Sequence, residues 1–298
     1  MPTDKAFQGE RITLIEHPQQ FVEIQLNSCQ GINKFDQLTL DELSQVITRL
    51  NSHPAQGVLI SSAQKVFFAG GDIEEFVARF KLQHAQIIDA LQQFNKVLNR
   101  LESLPCPTVA VLNGATLGGG VELALACDYR LALPTIKIGL PEVNLGIIPG
   151  TGGTVRLPRL IGAYDAAEWI CTGDIRSGEQ AYQSGLVDKL LSTEVGATNI
   201  GLTTLAELSN TATWQPLRAN KRSNSNALSS DQQQQLQQRI QQQFQDQTQT
   251  ARLTAIDVIA EQCALTFEQA LDNEMLQVAK LGCSQESNDL VDAFLNKT

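Results

Sequence analysis

The chain has 298 residues, 42% of them hydrophobic and 18% charged, a balance that suits a folded globular protein and excludes wholesale disorder. Its formal net charge of −10 argues against nucleic-acid binding. An anionic ligand would have to be held by local basic groups, backbone donors and helix N-termini. No apolar run reaches the roughly eighteen residues of a membrane span, and the N-terminus has no basic stretch followed by an apolar one, so a cytoplasmic protein is expected. Cys29, Cys106, Cys127, Cys171, Cys263 and Cys283 are scattered without a CxxC pair. They read as buried reduced thiols rather than a disulfide framework or zinc site.

Through the first two thirds, strand-like and helix-like segments alternate. FVEIQLN (21–27), GVLISSA (57–63), TVAVLNG (108–114) and YRLAL (129–133) are short apolar runs rich in β-branched residues that end in turns. Between them, LTLDELSQVITRL, IEEFVARF and IIDALQQFNKVLNRLESL carry helical spacing, and Thr39 with Glu42 has the spacing of a capping box. Regular alternation predicts an α/β fold with largely parallel strands. After about residue 190 the character changes. LRANKRSNSNALSS reads as a loop or linker. The glutamine-rich segment 232–249 resembles low-complexity sequence, yet Leu236, Ile240 and Phe244 recur every fourth residue, which predicts a docked amphipathic helix. Further helices are expected over 252–264, 267–281 and 286–296. The expected division is therefore a catalytic domain over 1–190 and an all-helical extension over 191–298.

Three glycine-rich segments stand where strands give way to helices: FFAGGDI (67–73), NGATLGGGVEL (113–123) and GLPEVNLGIIPGTGG (139–153). Glycine lets backbone N–H groups approach a ligand without obstruction. Gly118–Gly120 precede ELALAC, so the first-turn N–H donors of a helix should gather there, a place that suits a developing oxyanion. Glu122 lies about one turn inside that helix, and Glu142 follows Pro141 in the third segment. Two carboxyl groups beside such donors can divide general acid and general base work. Taken singly these signals are weak. A glycine triplet is as often a tight turn, and a lone Glu near a helix start is usually solvated. GxGxxG, GxxxxGK[ST] and GxSxG are all absent. His17, His53 and His84 lie outside the glycine segments and read as surface residues, which argues against histidine-based or metal catalysis.

In this order, FFAGGDIEEF, NGATLGGGVELALACDYRLAL, IGLPEVNLGIIPGTGGTVRLPRLIG and TGDIRSGEQAYQSGLVDKLL resemble the crotonase (enoyl-CoA hydratase/isomerase) superfamily over roughly residues 10–190. Within it, the chain is most similar to the hydratase part of the alpha subunits of bacterial fatty-acid oxidation complexes, and the tail LVDAFLNK resembles their connecting helix. Without a dinucleotide fingerprint, it reads as a single-function relative or a domain fragment. The resemblance implies a spiral of ββα turns forming two near-perpendicular sheets with surrounding helices. It implies an oxyanion hole from the N–H groups of Gly71 and Gly119. Relatives often have Ala where Gly71 stands, a change that keeps the N–H. Glu122 and Glu142 match the two catalytic glutamates, and Ala69, Asp72 and Ile73 match the loop that contacts coenzyme A.

The implied activity is hydration of trans-2-enoyl-CoA in β-oxidation. No metal or cofactor is expected beyond the coenzyme A carried by the substrate. A homo-oligomer (trimer or hexamer) or association with β-oxidation partner enzymes is implied. Rival readings are a Δ3-Δ2-enoyl-CoA isomerase and a non-catalytic acyl-CoA-binding or assembly module.

Overall fold

The computed structural model describes residues 5–29, 31–80, 83–193, 195–223, 227–245 and 249–296. Along the chain come β1 (Lys5–Gln8), β2 (Ile12–His17), β3 (Phe21–Leu26), α1 (Gln37–Ser52), β4 (Gly57–Ser62), β5 (Val66–Phe68), α2 (Ile73–Phe80) and α3 (His84–Glu102). Then follow β6 (Thr108–Leu112), β7 (Ala115–Leu117), α4 (Gly119–Leu125), β8 (Tyr129–Ala132), β9 (Lys137–Gly139), α5 (Gly153–Ile161), α6 (Ala163–Thr172), β10 (Arg176–Ser177), α7 (Gly178–Gln183) and β11 (Lys189–Leu190). The rest is helical: α8 (Ala197–Thr211), α9 (Trp214–Arg222), α10 (Ser230–Gln243), α11 (Thr250–Gln262), α12 (Phe267–Gly282) and α13 (Gln285–Leu295). Among the described residues no helix is long and apolar enough to cross a membrane.

The chain forms two compact units. The first comprises Met1–Gly71, Lys96–Ile138 and Arg176–Ala219; the second comprises Asp72–Asn95, Gly139–Ile175 and Asn220–Thr298. Each unit draws segments from both sides of residue 190.

The first unit is built on a seven-stranded sheet in the order β1-β2-β3-β4-β6-β8-β11, with a four-stranded sheet ordered β10-β9-β7-β5. β1, β2 and β3 pair antiparallel, and from β3 to β11 every pairing is parallel. This is the largely parallel α/β arrangement that the alternation predicts. β6 is buried at every position, which explains its unbroken TVAVL run where a one-faced strand would alternate. α8 lies on β4 and β6 so closely that a Cβ on Gly201 would come within 2.6 Å of Leu59 Cδ1. Phe21, Leu59, Val109, Val111, Leu131, Leu205 and Leu208 form the core beneath it.

In the second unit, α11 packs against α5, α6, α10 and α12. The glutamine-rich segment forms α10, which ends at Gln243: Leu236 and Ile240 are buried as predicted, Phe244 is the half-buried C-cap, and residues 246–248 of the expected helix lie outside the described residues. Ser229 and Gln232 close a capping box at its start, and the amides of Gln233 and Gln237 donate to Asp257 Oδ1 at 2.9 and 2.7 Å. These glutamines dock a helix onto its neighbour.

Four expectations need correction. Thr39 and Glu42 do not cap α1. Asp36 does, accepting from the Thr39 N–H at 2.7 Å, while the buried Glu42 carboxylate reaches the N–H groups of Glu10, Arg11 and Ile12 in the β1–β2 turn. The expected linker after residue 216 continues as helix to Arg222, because Arg218 holds both oxygens of the buried Asp128 at 2.8 and 2.6 Å and stacks on Trp214. All six cysteines are free, but Cys29 is exposed, and Cys263 and Cys283 are half-buried. Cys106, Cys127 and Cys171 follow the expectation, and burial pushes the Cys106 and Cys171 thiols up to about 11 and about 12. Finally, His53 and His84 are exposed, but His17 is half-buried, 2.8 Å from the carboxylate of Glu23, a buried residue of β3 whose other oxygen accepts from Ser61.

Candidate active site

Two loops of the first unit meet at the amino end of α4. β5 ends at Phe68, and Gly70 then takes φ +101, a region closed to most side chains. A Cβ on Gly70 would lie 3.2 Å from Leu117 O and 3.7 Å from Gly119 N. Gly71, the next residue, pairs with Phe35 in a parallel bridge, and the Gly70 carbonyl accepts from the Phe35 N–H at 2.8 Å. Gly118, at φ 51, turns the chain into the helix. Its carbonyl accepts from the Val121 and Glu122 N–H groups, while Gly119 stands first in the helix, where an N–H has no intrahelical acceptor. Gly71 and Gly119 are thus brought together.

Gly119 must be glycine, because a Cβ there would sit 2.6 Å from Phe35 Cδ2. The Phe35 ring packs on Phe68 with centroids 4.6 Å apart, so the close approach is fixed by core packing. Asn33 holds the opposite side of the same loop. Its carbonyl accepts from the Ala69 N–H at 2.8 Å, and its amide donates to Phe67 O at 3.0 Å and Ser62 Oγ at 2.9 Å. Sequence reasoning missed Asn33 and Phe35. INKFD carries no glycine pattern, and its one available signal is a polar pair, Asn33 and Lys34, between Ile32 and Phe35 just before a helix.

Glu122 is 3% exposed and lies three residues after Gly119 in α4. Residues at that spacing share a helix face, so Gly119 and Glu122 lie on the same side of α4. The structure therefore assembles Gly71, Gly119 and Glu122 within one unit. A buried carboxyl group beside first-turn backbone donors can accept a proton where negative charge develops.

Ala69 is exposed, and its N–H is engaged by Asn33, so any ligand contact from its backbone falls to its carbonyl. Asp72 and Ile73 open the second unit. The Asp72 carboxylate accepts from the N–H groups of Glu74 and Glu75 at 3.0 and 3.3 Å and so starts α2, while Ile73 is half-buried.

Glu142 also belongs to the second unit, half-buried at the head of a 3-10 turn, Glu142–Leu145. Pro141 precedes the turn, and Gly146 closes it at φ 72. The segment that follows leads into α5, whose N-cap Gly152 has no side chain to cap it. The fully buried Glu274 of α12 does so instead, accepting from the N–H groups of Gly152 and Thr154 at 2.6 and 2.8 Å and from Thr154 Oγ1 at 2.6 Å. No pattern in the sequence linked Glu274 to the third glycine segment.

Comparison with known proteins agrees with this architecture. The sequence profile of the enoyl-CoA hydratase/isomerase family matches residues 16–270. The fatty acid oxidation complex subunit alpha of Ectopseudomonas oleovorans is 36% identical over 296 residues, which cover 97% of this chain and 41% of that protein. The chain thus spans less than half the length of that relative. Among solved structures, an enoyl-CoA hydratase from Bacillus halodurans superposes with a TM-score of 0.71 at 19% identity, covering 95% of this chain and 99% of that one, a likeness of fold. An enoyl-CoA hydratase from Bacillus anthracis is 27% identical with a TM-score of 0.57, each chain being 96% covered. With its two sheets and C-terminal helices, the crotonase fold is confirmed, and the chain belongs to the enoyl-CoA hydratase/isomerase family.

Proposed function

We propose that the chain hydrates trans-2-enoyl-CoA thioesters, with Glu122 and Glu142 as acid–base groups and the N–H groups of Gly71 and Gly119 as the oxyanion hole. The observation that carries this reading is the convergence of the Gly70–Gly71 loop on the start of α4, with Glu122 buried just inside that helix. The thioester oxygen accepts from the two N–H groups. Glu122 takes a proton from water, the water oxygen bonds to C3, and electrons of the double bond move onto the thioester as an enolate. Glu142 delivers a proton to C2, and the carbonyl re-forms. Removing one oxyanion donor of this kind typically costs about 3 kcal/mol of barrier. The Ala69 carbonyl and the start of α2 at Asp72 and Ile73 receive the coenzyme A end of the substrate. No further cofactor enters the scheme.

Similarity to alpha subunits of fatty acid oxidation complexes supports a place in fatty-acid oxidation alongside β-oxidation partner enzymes, with a homo-oligomer as the alternative assembly. Ultraviolet-monitored turnover of 2-enoyl-CoA and 3-enoyl-CoA esters tests the assignment. Hydration of the 2-enoyl ester is expected to dominate. Conversion of the 3-enoyl ester without hydration would assign an isomerase, and tight binding without turnover of either ester would assign a binding module.

A further inference from the structure

We propose that Arg252 and Ser287, from the C-terminal helices, are positioning residues that set the geometry of Glu142 through Asn144 and Leu145; this rests on the acid–base role proposed for Glu142. A four-residue 3-10 turn has few and poorly aligned hydrogen bonds of its own, so its precision must come from what it packs against. Three elements grip this one. Gly173, just past α6, comes so close that a Cβ there would lie 2.8 Å from Val143 Cγ2 and 3.0 Å from Asn144 Nδ2. Ser287 of α13 donates from Oγ to Leu145 O at 2.9 Å, and its Cα would stand 2.8 Å from a Cβ on Gly146. Arg252 of α11 donates from Nη2 to Asn144 Oδ1 at 2.6 Å.

The Arg252 guanidinium is itself immobilised. Nη1 donates to the last carbonyls of α6, Cys171 O at 2.9 Å and Thr172 O at 2.7 Å, and the group lies 3.8 Å from the Phe244 ring centroid. Capping α6 with a cation is a sufficient structural reason for Arg252. It does not require the bond to Asn144. Asn144 is exposed, so its side chain could exchange that bond for one to water at little net cost in stability. What the bond does tether is the Asn144 side chain, two residues after Glu142, to a guanidinium held on the end of α6. Ser287 fixes the following residue from another direction.

The test uses full-length protein carrying Asn144→Ala, Ser287→Ala, both together, and each of these combined with Glu142→Gln. The single variants are mild, so circular dichroism and thermal melts close to wild type should accompany the kinetics. With crotonyl-CoA, the double variant should lower kcat at least about tenfold while KM stays within about twofold, as expected when a catalytic group is misplaced by a fraction of an ångström. Its pH–rate profile should shift relative to wild type. In the Glu142→Gln background the same changes should lower kcat by less than about twofold, since a residue acting through Glu142 loses its effect once that carboxyl group is gone. Arg252→Lys, which keeps a donor, should retain more kcat than Arg252→Met. A folded double variant with wild-type kcat and pH profile would overturn the proposal, as would losses that multiply with Glu142→Gln. Near-wild-type turnover by Glu142→Gln alone would remove the acid–base reading and this inference with it.

Discussion

The Gly70–Gly119 region of the first unit, proposed as the oxyanion side, and the Glu142 turn of the second are held in opposite ways. Gly70, Gly71 and Gly119 are fixed from nearby: on the backbone by a bridge to Phe35 and a carbonyl from Asn33, and at Gly119 by the Phe35 ring, which a Cβ would meet. The Glu142 turn is fixed by side chains that arrive from far along the chain, Arg252 to Asn144 across 108 residues and Ser287 to Leu145 across 142. N–H groups of the kind proposed for the oxyanion hole can be set by glycine, sheet pairing and one packed ring. A carboxyl group that must be delivered to a reacting atom sits at the end of a flexible side chain, and its supporting turn needs outside constraint. This contrast predicts that damage to the first unit's site comes from adding atoms, and damage to the second's from removing distant ones.

The sharpest break on the backbone side is Gly119→Ala. The new Cβ would meet the Phe35 ring at 2.6 Å, so either the ring or the start of α4 must shift. We expect hydration to fall by about a hundredfold, the scale of losing an oxyanion donor, measured as kcat on crotonyl-CoA. Phe35→Leu in the same chain should recover part of the loss by making room. A Gly119→Ala enzyme of normal activity would show that close packing, and not donor placement, is what the glycine serves.

On the long-range side, Glu274→Ala leaves the N–H groups of Gly152 and Thr154 without their buried acceptor. The expected cost is about 3 kcal/mol, read from urea melts, because a charged acceptor with several donors is removed from a dry site. Limited proteolysis should then cut first in the segment between Glu142 and α5. A variant with unchanged stability would mean that the α12 contact adds nothing to that segment.

A smaller effect is expected at Asp36, which caps α1 and pairs with Arg11 at 2.8 Å. Burial alone would raise this carboxyl group, but the hydrogen bonds from Arg11 and Thr39 outweigh it and hold it below the ordinary carboxylate value. A depressed folded-state value means that the stabilisation is complete above the unfolded-state pKa and is lost as pH falls through the folded one. Asp36→Ala should therefore cost about 2 kcal/mol at pH 7 and progressively less at acidic pH, measured by denaturant melts at several pH values.

Much of this molecule was legible in its sequence, for physical reasons that differ by region. Strands such as TVAVL and the four-residue spacing of Leu236 and Ile240 report burial directly, because each periodicity maps onto one face or one buried strand. The glycine segments were legible because close approach of two backbones excludes side chains, a constraint written locally. Asp36 as the true cap of α1, Arg218 carrying α9 through an expected linker, and the supports at Asn33, Phe35, Glu274 and Arg252 were not. Apart from Asp36, whose capping bond to Thr39 is local, each depends on a partner distant in sequence, and an ordinary Asn, Phe, Glu or Arg at such a site carries no local pattern. The interleaving of the two units was hidden for the same reason: composition changes near residue 190, whereas the contacts that define a unit ignore that boundary.

The proposed hydration rests on Glu122 and Glu142 as its acid–base groups. Its most direct test is the hydration of crotonyl-CoA by Glu122→Gln and by Glu142→Gln, with ligand affinity measured in parallel. Each substitution is expected to cut kcat by at least about a hundredfold while a saturated acyl-CoA still binds, the span typical of an acid–base group. Turnover near the wild-type rate in both variants would contradict the account.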